Sequence, residues 1–126
     1  MPYKIMMSIV CIVPLIFSLA FVAIPEFFVL QWYPSAEGLA LEIAITHRYD
    51  MAGMLFMVVC FAFQSRHVEG VDNQKAILLG AAIAFSAMCA VIISIALFRG
   101  IPLDIPPMIA TGTLAALSFW SRSKLS

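Results

Sequence analysis

Residues 76–98 read AILLGAAIAFSAMCAVIISIALF, twenty-three positions without one charged side chain. A hydrocarbon core of about 30 Å is crossed by about 20 apolar residues in a helix. This stretch is long enough to cross, and it sets the class of the whole chain. Working outward, three more stretches read the same way: about residues 5–30, 47–63 and 105–120, the last of them short. The expectation is an all-α, single-domain integral membrane bundle of four helices.

Composition agrees. The chain has 126 residues, of which 63% are hydrophobic and 11% charged, with a mean hydropathy of +1.05. Soluble domains carry about 25% charged residues. Too few charges are present to coat a soluble surface, and too much apolar surface is present for a disordered chain. The net charge is zero with no basic stripe, which speaks against a nucleic-acid partner. Cys11, Cys60 and Cys89 all lie in apolar runs and form no C-x-x-C pair, so neither a disulfide framework nor a zinc site is expected.

The first stretch needs comparison with a signal peptide, because Lys4 precedes an apolar run and Ser18-Leu19-Ala20 fits a small-x-small cleavage site. The apolar run continues past that site, beyond the usual h-region, so a retained helix is expected. Pro14 should kink it, and Pro25 with Glu26 should end or re-aim it.

Charge sets the direction of threading. With four spans, Lys4, Arg66, Lys75, Arg122 and Lys124 share one side, and Arg48 and Arg99 the other. The positive-inside rule then places both termini in the cytoplasm. Glu26, Glu37, Glu42, Asp50 and Asp104 fall outside, and Glu69 and Asp72 inside. The first loop, residues 31–46, is expected to be the longest, with a short interfacial helix over its second part. The middle loop is expected over residues 64–74 and a tight third loop over 99–104, with Pro106 and Pro107 in the first turn of the last helix. Trp32, Tyr33 and Tyr49 suit an outer aromatic belt and Trp120 an inner one.

In lipid, close helix contact favours small residues. The series Ala82, Ser86, Ala90, Ser94, the neighbouring pair Gly80 and Ala84, the pairs Gly112–Ala116 and Thr111–Ala115, and Ala52-Gly53 are candidate seams. Packing within the chain is the expected use, and self-association or contact with other membrane subunits the rival.

The densest polar cluster is Thr46-His47-Arg48-Tyr49-Asp50, at the mouth of the second stretch. On a helix, His47, Asp50, Met54 and Met57 share a face, while Arg48 points about 200° away from Asp50. Asp50 is expected to face protein or a wet cavity, with His47 or Arg99 as partner, and Arg48 to reach Asp104 or Glu42. The cluster is either an outward-facing site for a proton or a ligand head group, or an ion-pair clamp on the loops. No ionisable residue continues the path towards the midplane, which argues against a one-chain pump. The sulfur series Met51, Met54, Met57, Cys60 does not form a metal site as a set, because a period of three drifts about 60° per step around a helix. Flexible packing is its expected role. Neither a nucleophile elbow, nor H-E-x-x-H, nor a phosphate loop is present, so no cofactor and no catalysis are expected.

Two resemblances bear on function. Ile45-Thr46-His47-Arg48 resembles the His-Arg signature of the cytochrome b anchor of succinate dehydrogenase, which would imply a redox membrane anchor. Here, however, Gly53 lies six positions after His47, and residues 76–98 hold no histidine for a haem. The layout as a whole is similar to DoxX-like membrane proteins and related bacterial four-helix families. The relevant residues are Arg48-Tyr49-Asp50-Met51-Ala52-Gly53-Met54-Leu55, then the helix from Gly80 to Phe98, a Gly-Pro turn and a last helix. That resemblance implies a four-helix bundle in the bacterial inner membrane and an accessory role. The expected function is therefore a non-catalytic accessory or structural subunit of a larger membrane complex. The alternative is a binding or transport protein for a small apolar or quinone-like ligand.

Overall fold

The structure is a computed structural model and describes residues 2–126. The described residues form five helices and no strand: α1 (Tyr3–Ala23), α2 (Pro25–Trp32), α3 (Gly38–Ser65), α4 (Val71–Arg99) and α5 (Ile105–Ser123). Three of them, α1, α3 and α4, are long and apolar enough to cross a membrane.

The first apolar stretch, expected as one span over about residues 5–30, is two helices. A proline ring clashes with an α-helical residue before it, so Pro25 forces Ile24 out of the helix, to φ −137° and ψ 54°. Pro25 then opens α2, where its missing N–H costs nothing, and Glu26 sits in the first turn near the positive end of the dipole. Pro14 stays inside α1 and is buried.

The long first loop and its separate interfacial helix are also corrected. Helix α3 starts at Gly38 and runs unbroken for 28 residues. Between Leu39 and Ile45 lie strong helix formers and no proline, so nothing stops the helix before the apolar run. The join between α2 and α3 shrinks to residues 33–37. Helix α4 likewise starts early, at Val71, and absorbs the end of the expected middle loop. Gly70 takes φ +88° before it, and Gly100 takes φ +62° after it, a left-handed C-terminal stop with Arg99 in the last turn.

Helix α5 holds Pro106 and Pro107 in its first turn, as expected, and extends to Ser123. It is not among the three helices long and apolar enough to cross, because Pro106, Pro107, its Thr and Ser side chains and Arg122 dilute it.

The chain divides into two compact units, Cys11–Phe61 and Met1–Val10 with Ala62–Ser126. In the first, α1 and α3 run antiparallel, tied by the Ser18 hydroxyl donating to the Ala52 carbonyl at 2.8 Å and the Cys11 thiol to the Val59 carbonyl at 3.7 Å. In the second, the Tyr3 hydroxyl donates to the Ser65 carbonyl at 2.7 Å. There α4 packs along α5, with Leu78, Ala82 and Ile92 buried on one helix and Leu114, Ala115, Ser118 and Ser121 on the other.

Large apolar side chains such as Met6, Val29 and Leu78 are buried, but many others face outward while small and hydroxyl residues lie inside. Small and hydroxyl residues such as Ser18, Ala52, Ala82, Ser118 and Ser121 are buried, whereas Phe98 is 86% exposed and Phe61, Leu97 and Met54 also point outward. Lipid is as apolar as leucine, so large apolar groups gain little by turning inward, and small residues let helices approach.

Candidate functional site

The cluster at residues 46–50 lies in the third and fourth turns of α3, well inside the helix. One helical residue turns about 100°, so neighbours in this run cannot share a face. The structure separates them accordingly. His47 and Asp50 stand on the outer face, with Nδ1 and Oδ2 3.8 Å apart and side chains 83% and 64% exposed. Tyr49 is also exposed. Arg48 turns the other way and is 6% exposed.

Arg48 occupies an aromatic cage assembled from three helices. Its guanidinium carbon lies 5.3 Å from the centroid of Phe21 on α1 and 4.9 Å from that of Trp32 on α2. One terminal nitrogen donates to the Phe28 carbonyl at 3.5 Å and the other to the Met51 sulfur at 3.6 Å. Phe28 in turn meets Phe21 edge-on at 4.9 Å and Phe27 at 5.5 Å. Both rings attract the cation, which helps a charge to be tolerated among apolar side chains. The result is a lock that holds the short helix α2 against α1 and α3.

Of the residues singled out from the sequence, His47 and Asp50 are brought together as a pair. Arg99 is exposed in the last turn of α4. Asp104 is buried at the N-terminus of α5, its carbonyl accepting the Met108 N–H at 3.1 Å. Glu42 is exposed, and its carbonyl accepts the Thr46 hydroxyl at 2.9 Å.

The small residues divide as well. Ala82 is fully buried, and a Cβ on Gly112 would meet the Cys89 sulfur at 3.7 Å. Gly53, Gly80, Ser86, Ala90 and Ala116 face outward, as does the edge carrying Ser94, whose hydroxyl returns to the Ala90 carbonyl at 2.7 Å. Of the sulfur series, Met51 alone turns inward, to Arg48, while Met54, Met57 and Cys60 are exposed. Among the described residues, no three His, Cys, Asp or Glu side chains are placed to share a metal ion.

Sequence reasoning missed Phe21, Phe28 and Trp32 as Arg48's surroundings. Trp32 was readable only as part of an aromatic belt, since its distance to Arg48 depends on how α2 folds back. Ser18, Ser118 and Ser121 were also missed as interior contacts. A serine in an apolar run is a polar group needing a partner, and that signal was present.

Fold and site together define an all-helical chain with three helices fit to cross a membrane, an internal arginine–aromatic lock and an exposed His–Asp pair. No family model, curated protein or solved structure matches the chain.

Proposed function

We propose that the chain is a four-span protein of the bacterial cytoplasmic membrane, with both termini inside, serving as a non-catalytic subunit of a larger membrane complex. The observation that carries this reading is the exposed pair His47–Asp50 on a helix fit to cross the bilayer. An ionisable pair facing lipid is costly, and a partner helix that covers it removes that cost. Two exposed small pairs on α4, Gly80 with Ala84 and, on another side, Ser86 with Ala90, each give a second helix room to approach.

Helix α5 is the fourth span in this reading. It buries Ser118 and Ser121 and exposes Ile105, Ile109, Phe119 and Trp120, an arrangement suited to lipid rather than water. Arg48, sequestered in its cage, is a structural cation, which leaves Arg99 as the exposed basic residue opposing five on the other side. That strengthens the assignment of both termini to the cytoplasm.

The alternative, a small apolar or quinone-like ligand whose polar head meets His47 and Asp50, is favoured by the same exposed pair. His47→Ala with Asp50→Asn separates the two. Solubilisation in mild detergent should bring down a stable partner with the wild type and lose it with the double variant, folding intact. A monodisperse monomer from native membranes, without a partner, would sink the subunit reading. Loss of bound quinone alone would establish the alternative.

A further inference from the structure

Within the unit formed by Met1–Val10 and Ala62–Ser126, five cations converge on one end. The Tyr3–Ser65 hydrogen bond of 2.7 Å sets Lys4 and Arg66, each one residue further on, at the same level. Residues 66–70 then lead directly into α4, whose first turns carry Lys75. The register of α4 against α5 brings in the rest. Cys89 meets Met108 at 3.7 Å and lies beside Gly112. Both helices rise about 1.5 Å per residue, so moving from Cys89 back to Lys75 moves the antiparallel partner forward to residues 122–126. Arg122 and Lys124 therefore lie level with Lys75. Glu69 and Asp72 are the acidic residues at this end, and Asp72 sits in the first turn of α4.

Arg66 is the unusual member. Its guanidinium carbon lies 5.6 Å from the Phe63 ring centroid, yet its Nε is buried and has no hydrogen-bond partner among the described residues. A buried donor without an acceptor is a defect that a strong acceptor at the edge of the side chain can repair. Phe63 is exposed beside it, and Phe119 and Trp120 are exposed on α5 within one turn of Arg122, so apolar surface lies at the same end as the charges.

We infer that this end binds the phosphate of an anionic phospholipid, with Arg66 as its central contact and Lys75, Arg122 and Lys124 supplying the surrounding field. The inference rests on the membrane-spanning reading. A diffusible phosphate has no use for the flanking aromatic surface, whereas a lipid lays its acyl chains there and its head group on the cations. Arg66 suits this role because its planar fork matches a phosphate, and reorienting towards one brings the Nε out of its unpaired position.

The test uses the full chain reconstituted in vesicles of equal phosphatidylglycerol and phosphatidylcholine, extracted in mild detergent, with retained lipids counted by native mass spectrometry. Phosphatidylglycerol should be retained in preference to phosphatidylcholine, and Arg66→Gln should weaken that preference by about five-fold, the scale of one cation at a charged surface. Arg99→Gln, at the other end of α4, should leave it unchanged. Salt at roughly 1 M should reduce it, since the screening length falls to ~3 Å. If Arg66→Gln does not fold, Lys75→Gln with Lys124→Gln should show the same loss.

Equal retention of both lipids by the wild type overturns the proposal. So does a preference untouched by these variants, or thermal protection of detergent-solubilised protein by inorganic phosphate as strong as by phosphatidylglycerol. Extraction of the chain from membranes by alkaline carbonate would instead overturn the membrane-spanning reading itself.

Discussion

The guanidinium carbon of Arg48 lies 4.9 Å from the centroid of the Trp32 ring, sixteen residues earlier in the chain and on a different helix. With Phe21 at 5.3 Å and the Phe28 carbonyl at 3.5 Å, this contact makes a charge the point where α1, α2 and α3 meet. A desolvated cation–π contact contributes about 2 kcal/mol, and the cage has two. Arg48→Ala should therefore destabilise the protein by about 2–4 kcal/mol in thermal or denaturant unfolding from detergent micelles. Arg48→Lys should recover only part, because an ammonium cannot lie flat between rings. Trp32→Ala combined with Arg48→Ala should cost less than the sum of the single changes, and strict additivity would show that the two residues do not interact.

Ser18 contributes through its hydroxyl and its size together. Ser18→Ala removes the 2.8 Å bond to Ala52 and should cost about 0.6 kcal/mol, typical of interhelical hydrogen bonds in membrane proteins. Ser18→Leu has to force α1 away from the buried Ala52, and should cost several-fold more. A pair of variants with equal stability would remove close approach as the reason for a serine there.

Gly112 makes a prediction of the opposite sign. A Cβ at this position meets the Cys89 sulfur at 3.7 Å, an ordinary contact. Gly112→Ala should therefore be neutral or stabilising by up to about 1 kcal/mol through helix propensity. Gly112→Leu has no such room and should lower the unfolding temperature.

Gly100 ends α4 at φ +62° in open space, so the backbone, not crowding, demands glycine. Gly100→Ala should cost about 1 kcal/mol, and Gly100→Asn less, since asparagine tolerates the left-handed region. Equal losses for both would point to a steric cause.

Much of the architecture is legible in the sequence. The uncharged run of residues 76–98, the proline at position 25 and the Gly100 stop each act through their own backbone or their immediate neighbours. Propensity and hydropathy are local, and they survive whatever the rest of the chain does. The opposite facing of Arg48 and Asp50 is likewise determined by sequence, because 100° per residue is a property of the helix alone.

Tertiary structure decided what those faces meet. Arg48 found aromatic rings in α1 and α2, a result that depends on α2 folding back after Pro25. The expected small-residue seam kept Ala82 and Gly112 inside and turned Gly80, Ser86 and Ala90 outward. Sequence spacing shows that residues line up on a helix, but the rotation of that helix about its own axis is a many-body outcome of packing. In a chain where nearly every face is apolar, hydropathy hardly distinguishes one rotation from another, and the few polar contacts, Ser18 to Ala52 and Tyr3 to Ser65 among them, are where that choice is recorded.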